Sequence, residues 1–347
     1  MTENPESAKF WAKTLAPYRT PSDAIALRQL VETLVPLVAL TGLMLHGYSV
    51  GWWWVFALMP LASIFLVRTF VLQHDCGHGS LFRTRWANDL VGSLLGVLTL
   101  TPYYYWKRTH AIHHATSGNL DRRDFGDIDT ITVAEYRALS PLRRLGYRAY
   151  RHPLVFLGLG ALYQFVLKHR LPLDAPWSWR REWASVAFTN LGLGALVWAI
   201  GANFGWTAIL AVQLPYQVLA AAGGIWLFYV QHQFEGGYWR RQDEWDFHTA
   251  SLIGSSYYAL PAWLHWLTAD ISVHHIHHLA SKIPNYRLQK AFREVPELQK
   301  VTRLGLRQSL RCAKLKLWDE ERRRVVGWRA VEERAEAPLG AAASPNF

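Results

Sequence analysis

The chain has 347 residues, of which 51% are hydrophobic, and a formal net charge of +11. This length allows one large domain or two ordinary ones. No zinc-finger, Gly-rich phosphate-loop or RNA-stacking pattern accompanies the positive charge, so we expect no nucleic-acid partner. Two cysteines, Cys76 and Cys312, are too few for a disulfide framework or a thiolate metal site. The 18 Trp, 15 Tyr and 15 Phe are instead typical of proteins that meet a bilayer interface.

Four apolar segments predict membrane-spanning helices, each of which needs about 20 mostly apolar residues. They cover residues 30–48, 52–72, 184–200 and 206–230. Residues 1–25 before them are polar and charged, which predicts a cytosolic segment rather than a cleavable signal peptide.

The basic residues indicate how these spans are oriented. The connectors at 47–52 and 201–205 contain no Lys or Arg, whereas the segments outside the two pairs of spans are basic. By the positive-inside rule, two helical hairpins therefore enter the membrane from the cytoplasmic side and return to it. We expect Arg68, near the end of the second span, to extend toward the cytoplasmic interface.

Two shorter apolar runs, 89–103 and 154–167, predict interfacial or re-entrant helices. A six-span arrangement, in which both of them cross the bilayer, is the alternative. Residues 26–320 are expected to form the main domain. Residues 321–347 form a tail whose Ala- and Pro-rich end is expected to be disordered.

Histidines dominate the candidate functional residues. The chain has 15, and most of them fall into three short groups with i, i+3 or i+4 spacing, which places side chains on one face of a helix. His232 directly follows the fourth span and adds a further candidate. The predicted topology brings all these groups to the same side of the membrane. The expected ligands are His74, His78, His110, His113, His114, His232, His274, His277 and His278.

This number of imidazoles indicates more than one metal ion. A zinc ion takes about four ligands, whereas imidazole also suits iron, copper and nickel. Nearby carboxylates could orient the imidazoles and offset the charge of two ions. His275 lies about 100° from the ligand face of its group and is also expected to support the site from behind. The expected supporting residues are Asp75, Asp121, Asp127 and His275.

The three groups, at 74–78, 110–114 and 274–278, resemble the three histidine boxes of the membrane fatty acid desaturase family. Segments 226–235, 254–258 and 282–286 resemble the bacterial acyl-lipid branch, and the similarity covers about residues 25–320. Related acyl-CoA desaturases have an Asn one turn before the histidine that matches His232. This chain has Phe228 there, which leaves nine histidines as the expected protein ligands.

The resemblance implies an all-α membrane protein with four transmembrane helices in two hairpins, interfacial helices and a cytosolic helical cap that holds two iron ions. It implies desaturation of a membrane acyl chain, on a glycerolipid in this branch, with O₂ and two electrons. No fused cytochrome or flavin motif is present, so a ferredoxin or similar external carrier is expected. The expected location is the bacterial inner membrane, with the site on the cytoplasmic side.

Two alternatives are open from the sequence. A related hydroxylase or ketolase that acts on acyl, alkane or carotenoid substrates would carry the same boxes. A transporter or metal sensor would hold its site near the bilayer midplane, whereas these histidines lie at and beyond the predicted helix ends. The aromatic residues 103–106, just before the second group, are expected either to line a substrate tunnel or to form an interfacial belt.

Overall fold

The computed structural model describes residues 8–123, 125–126 and 128–331, and most of them are helical. Four 3₁₀ turns (Ala16–Tyr18, Trp53–Leu58, Lys168–Arg170 and Pro296–Gln299) and three π-helical stretches (Val155–Leu159, Tyr163–Leu167 and Ile209–Gln213) join or extend the α-helices. In chain order the α-helices are α1 (Ala8–Leu15), α2 (Asp23–Ser49), α3 (Met59–His78), α4 (Arg85–Leu98), α5 (Tyr103–Thr116), α6 (Val133–Ala138), α7 (Pro141–Tyr150), α8 (Gly160–Leu162), α9 (Arg180–Phe204), α10 (Leu214–His232), α11 (Phe247–Ile253), α12 (Ala262–Leu267), α13 (His274–Leu279), α14 (Asn285–Glu294) and α15 (Leu306–Cys312).

Extended structure is limited to two short pairs of strands in the described chain. Strand β1 (Tyr257–Tyr258) runs parallel to β2 (Arg303–Leu304). Strand β3 (Leu317–Asp319) pairs antiparallel with β4 (Arg324–Val326), with Trp318 opposite Val325. Both pairs lie in the C-terminal third, where they tie the chain after the last span into the cap.

Four helical segments of the described chain are long and apolar enough to cross a membrane, as predicted: Asp23–Ser49, Trp53–His78, Arg180–Phe204 and Ile209–His232. They extend past the apolar runs of the sequence, and two of them end on a histidine. The first histidine group therefore lies within the last turns of α3 rather than after the helix. Its imidazoles are carried by the same rigid element that crosses the membrane.

Helix α3 is the central element of the bundle and packs against α2, α4 and α10. Pro60 stands in its first turn, where a missing backbone N–H costs no hydrogen bond. Gly79 ends the helix in the left-handed conformation, with φ of 63°, which glycine adopts without a steric penalty. The sequence thus sets both ends of the helix that carries His74 and His78.

The apolar run 89–103 was predicted as one helix, and this prediction is wrong. Helix α4 ends at Leu98, and Tyr103 already belongs to α5. The turn between them includes Leu100 in the left-handed region, with φ of 56°. Its carbonyl groups accept hydrogen bonds from Gln73 on α3 and Gln217 on α10. The turn is therefore fixed by partners distant in sequence, which local periodicity does not reveal.

The second short run, 154–167, was predicted to be helical, and π-helical and α-helical stretches do cover Val155–Leu167. Its exposed leucines and Tyr163 indicate a surface that faces lipid. Neither this run nor the one at 89–103 forms a long apolar helix, so the described chain contains no fifth or sixth span of the kind that the alternative arrangement requires.

Arg68 does not extend toward solvent, contrary to the prediction. Its side chain is 1% exposed, its Nε donates to the Thr33 hydroxyl at 2.9 Å, and its guanidinium lies 4.4 Å from the centre of the Trp266 ring. Trp266 belongs to α12, in the cap. The cap therefore covers this part of α3, and its Trp266 ring shields the charge of Arg68.

Candidate metal centre

Four helices bring the predicted ligands together. Helix α3 carries the first histidine group in its last turns, and α10 ends with His232. Helix α5 carries the second group, and α13 carries the third. All nine predicted ligands lie in one cluster where α3 and α10 meet the cap. The histidines then divide into two sets around two separate points.

The first set contains five histidines whose ligand atoms all lie within 4.8 Å of one another. Their Nε2 atoms form a chain of close approaches: His74 to His110 at 3.0 Å, His110 to His114 at 3.1 Å and His114 to His277 at 3.0 Å. His78 completes the set.

The second set contains His113, His232 and His278, whose ligand atoms also lie within 4.8 Å of one another. His274 joins them, because its Nε2 lies 2.9 Å from that of His232 and 3.1 Å from that of His278. The two sets share a wall, since the rings of His114 and His278 stack at 4.1 Å between centroids.

The division follows helix geometry. In each box the i and i+4 residues, such as His110 and His114, share a face and contribute to the same set. The residue at i+3 contributes to the other set, as His113 and His277 do. The second and third boxes therefore each contribute to both sets, whereas the first box contributes only to the first set and the sequence pattern alone suggested that each box serves one point.

The donor geometry fits metal ions. A metal–imidazole bond is about 2.1 Å long, so two nitrogen ligands at right angles around one ion lie about 3.0 Å apart. The close Nε2 pairs in both sets are separated by 2.9 to 3.1 Å. Moreover, the buried Nε2 of His78 has no hydrogen-bond partner among the described residues. An ion at each centre would satisfy such converging lone pairs.

The electrostatics also favour neutral, ligand-competent imidazoles. Burial, and after it the neighbouring imidazoles, hold the pKa of His110 and His114 well below the usual histidine value. Burial has the same effect on the pKa of His277 and His278. Because metal ligands must be deprotonated, these rings need not lose a proton at neutral pH before they bind an ion.

Among the expected supporting residues, Asp75 lies behind the first set. One carboxylate oxygen is 3.4 Å from Nδ1 of His74, and the other accepts hydrogen bonds from the backbone N–H and the side-chain amide of Asn285, at 2.7 and 2.9 Å. Asn285 also accepts a hydrogen bond from Gln29 on α2. The residue was not singled out from the sequence, although it lies in the 282–286 segment that supports the family resemblance.

The other expected supporting residues lie elsewhere. Asp121 is half-exposed, and its oxygens bind Arg241 and the backbone N–H of Gln242, so the surface ion pair draws it away from the histidines. His275 points to the opposite side of α13, where its Nε2 donates to the carbonyl of Leu298 at 3.0 Å. Asp127 lies outside the described residues.

Two aromatic rings close the space around the ligands. Trp106 stacks on His110 with 4.4 Å between centroids. Phe228 packs against both His113 and His232, at 5.1 and 4.9 Å. An apolar ring thus occupies the position at which the resemblance implies an Asn.

A cavity of about 460 Å³ leads to the histidines. Most of its surface is apolar, and His74, His110 and His274 form part of its wall. It extends between α3, α10 and the 155–167 helices, past Gly160 and Gly224. Of the four aromatic candidates at 103–106, Tyr105 and Trp106 line it. Tyr103 instead donates to the carbonyl of Cys76, and Tyr104 lies under Arg181.

Part of the cavity wall is polar. It includes Thr99, Gln217 and His169, and the His169 ring lies 3.2 Å from the carbonyl of Leu100. Burial lowers the pKa of His169 to about 3, so the ring is neutral. An apolar cavity with a few neutral polar groups and imidazoles in its wall can hold a long alkyl chain against a metal centre.

Comparison with known proteins agrees with this architecture. The family described as fatty acid desaturase matches residues 51–309. The chain is 40% identical to a fatty acid desaturase of Bacillus subtilis over 324 residues, which is 93% of this chain and 92% of the relative. It is 27% identical to the sn-1 oleoyl-lipid 12-desaturase of Anabaena variabilis, over 75% of this chain and 74% of the relative. It is 29% identical to the sn-1 acyl-lipid omega-3 desaturase (ferredoxin) of a Nostoc species, over 64% and 62% respectively. Because the matched residues include all three histidine boxes and His232, the chain belongs to the fatty acid desaturase family of oxidoreductases.

Proposed function

We propose that this enzyme introduces a double bond into the acyl chain of a membrane glycerolipid, with two iron ions, O₂ and electrons from a ferredoxin-like carrier. The observation that carries the proposal is the apolar cavity whose wall includes His74, His110 and His274. The relatives in Anabaena and Nostoc, whose names specify lipid-bound acyl chains, support the glycerolipid substrate. The name of the Nostoc relative supports the carrier.

In this proposal the first histidine set holds one ion and the second set holds the other. Bound iron would supply the oxidising power needed to remove hydrogen from an unactivated methylene, which no side chain of the protein possesses. The reaction consumes one –CH₂–CH₂– unit, one O₂, two electrons and two protons, and it yields one –CH=CH– unit and two waters. The side chains around the cavity hold the chain so that one pair of methylenes lies at the metal centre.

The protein's own side chains position the alkyl chain and exclude water from it. Phe70, Phe228 and Ile225 line the cavity and exclude water from the alkyl chain. Trp106, stacked on His110, fixes one ligand ring and forms part of the same wall. Asp75 orients His74 from behind. A methylene held beside His74 and His110 is therefore close to the ions but shielded from solvent.

We also infer that the site faces the cytoplasm of a bacterial cell. The connectors between paired spans, residues 50–52 and 205–208, contain no Lys or Arg. The basic residues lie instead on the side of the histidines, as the positive-inside rule requires for a cytoplasmic face.

Cysteine labelling in intact cells tests this orientation. Single cysteines are introduced at Ser49 and at Ala115, and the cells are treated with a thiol reagent that cannot cross the membrane. We expect label only at position 49, and label at position 115 would reverse the orientation.

Lipid analysis after expression in a bacterial host with simple membrane lipids tests the reaction. We expect new unsaturated chains in the wild type and none in His277→Ala, which removes a ligand of the first set. Hydroxylated chains without double bonds would instead identify a hydroxylase.

A purified reaction tests the carrier of the acyl chain. Preformed deuterated dipalmitoyl phosphatidylcholine and deuterated palmitoyl-CoA are supplied separately, with reduced plant-type ferredoxin. We expect deuterated palmitoleoyl or isomeric chains from the phospholipid. A product from palmitoyl-CoA alone would overturn the glycerolipid assignment.

A further inference from the structure

The two sides of the first histidine set differ in their surroundings. His74 and His277 are buried, whereas His78, His110 and His114 are partly exposed. On the same helix α5, Ala111 and Ala115 are exposed, so this part of the helix lies at the protein surface. The first set therefore has an edge near the surface at His78 and His114, although the ligand atom of His78 is itself buried. Neither residue lines the apolar cavity.

Cations surround this opening. The Nζ of Lys282 donates to the carbonyl of His78 at 2.5 Å. The absence of a side chain at Gly79 leaves room beside this contact, since a Cβ there would come within 3.3 Å of the Lys282 Nζ. No carboxylate of the described residues pairs with Lys282 within 4.0 Å. Its charge therefore faces outward over a ligand of the first set.

A second group of cations lies beside it. Among the described residues, Asp89 is the only carboxylate within 4.0 Å of these cations, and it is shared by Lys107 at 2.9 Å, Arg181 at 3.5 Å and Arg85 at 3.6 Å. We call the four cations Arg85, Lys107, Arg181 and Lys282 the basic rim. Partial burial and then repulsion from Lys107 and Arg85 lower the pKa of Lys282, which shows that the two groups are electrostatically close. Four positive charges thus face one negative charge next to partly exposed ligands.

Stabilisation of the C-terminal end of α3 would by itself account for the position of Lys282, because a cation near a helix C-terminus is favourable. It does not explain Arg85, whose side chain is 79% exposed and which lies at the N-terminus of α4. An excess of positive charge around an accessible redox site raises the encounter rate of a negatively charged partner. The substrate cavity meets the first set at other members, His74 and His110.

We propose that the basic rim is the docking surface for an acidic one-electron carrier protein, and that electrons enter the metal centre through the exposed edge at His78 and His114. This inference rests on the proposed function. Each encounter with the reduced carrier would supply one electron to ions held by the two histidine sets, and two encounters would supply the two electrons that each double bond requires. The rim and the cavity share no residue, so lipid and carrier would not compete for the same side chains.

The test uses two variants of the rim in the purified, iron-loaded enzyme. Lys282→Gln removes a charge but keeps a donor for the His78 carbonyl, and Arg85→Glu reverses a charge that touches no ligand. The matched control is Arg143→Glu on α7, an exposed arginine with no ion pair in the described chain. Desaturation is driven either by a plant-type [2Fe–2S] ferredoxin or by photoreduced deazaflavin, a small reductant that needs no docking surface.

In the combined variant, which carries both Lys282→Gln and Arg85→Glu, we expect the KM for ferredoxin to rise about tenfold. The KM should also depend less steeply on salt concentration, because rim charges act mainly on association. The rate with deazaflavin should stay at the wild-type value in Arg85→Glu, and Arg143→Glu should behave as wild type with both reductants. An unchanged KM for ferredoxin in the combined variant would overturn the proposal.

Three other outcomes are distinguishable. A raised KM for anionic phosphatidylglycerol, with an unchanged KM for ferredoxin, would assign the rim to lipid headgroups and refute carrier docking. Failure of the wild type to desaturate with either reductant would refute the proposed function itself. Equal loss with both reductants in Lys282→Gln would mean that Lys282 acts by holding the end of α3, and Arg85→Glu alone would then decide the question.

Discussion

The imidazole of His114 stacks on that of His278 with 4.1 Å between ring centroids and an angle of 12° between ring planes. The two residues belong to different boxes and to different histidine sets. Their contact joins the two candidate metal sites into one wall, so each set is in part held in place by the other. We therefore expect the two sites to differ in metal content when single ligands are removed, but to fail together in activity.

The first prediction separates the two sets by stoichiometry. His277→Ala should remove the ion of the first set, and His278→Ala that of the second, so that iron falls from about two to about one per chain. Activity should fall more than about 100-fold in both, because loss of even a supporting contact can cost 10–100-fold. Iron is counted by plasma mass spectrometry of the purified protein.

His152→Ala provides the control, because His152 is exposed and remote in sequence from every box. It should retain both ions and full activity. One zinc and no iron in the wild type would refute the di-iron assignment, and full occupancy in both alanine variants would show that the sets are not the ligands.

The sequence predicted the four long apolar helices and the gathering of the histidines into one cluster, because both leave local patterns. Apolar length identifies a span, and i, i+4 spacing identifies a shared helix face. The assignment of His113 and His277 to sets other than those of their neighbours could not be predicted. It depends on how α5 and α13 are placed relative to α3, and no local pattern encodes that placement.

The errors have the same physical origin. The run 89–103 reads as one apolar helix, yet Gln73, Gln217 and His169 fold it into a turn from other parts of the chain. Asp121 was expected near the ligands by its position in the sequence, but Arg241 binds it at the surface. In each case a long-range partner outweighs local preference.

A second prediction concerns Asp75, which connects His74 to Asn285. Asp75→Asn removes the negative charge and replaces one of the two acceptor oxygens with a donor, which then faces the donors of Asn285. We expect iron affinity to fall about 10–100-fold, with the protein still folded. Affinity is measured by competition with a chelator of known strength.

Asp23→Asn is the matched control, since the carboxylate of Asp23 accepts a backbone hydrogen bond from Arg83 and lies in the first turn of α2. It should leave iron affinity unchanged. If Asp75→Asn also binds iron as the wild type does, the charge behind His74 has no role in metal binding.

A third prediction tests the cavity as the acyl site. A Cβ at Gly224 would meet no atom within 4 Å, and the residue lines the cavity, so the side chain of Gly224→Leu would grow into the space for the substrate. We expect activity on a C18 chain to fall at least about tenfold, because a leucine displaces several methylenes from a closely fitted site. Shorter chains should be affected less. Products are quantified by gas chromatography across a series of chain lengths.

Gly194→Leu on α9 supplies a close control. This glycine also has no atom within 4 Å of a Cβ, but it is exposed on the outer side of a span and does not line the cavity. Its variant should keep the wild-type preference for chain length. Equal behaviour of the two variants would mean that the acyl chain binds elsewhere.

The last prediction concerns pH and Asp270, in the loop before the third box. Burial raises the pKa of this carboxyl to about 6, although Arg68, Gln289 and Arg293 act in the opposite direction. His265 is the other titratable group beside it, at 3.9 Å. Because the folded protein holds the proton more tightly than the unfolded chain, Asp270 contributes stability that is full below pH 4 and is lost as the pH rises through 6.

Asp270→Asn removes this dependence, and asparagine tolerates the left-handed backbone at this position, where φ is 54°. Relative to the wild type, the variant should therefore gain up to about 3 kcal/mol of stability between pH 4 and pH 7.5. Melting curves of both proteins in the metal-free form measure this, because the histidines that do not contact Asp270 titrate alike in the two and cancel in the difference, which then reports Asp270 together with its neighbour His265. A melting-temperature difference that is constant across this range would contradict the prediction. It would show that the pKa of the Asp270 carboxyl is the same in the folded protein as in the unfolded chain, and therefore that burial does not raise it.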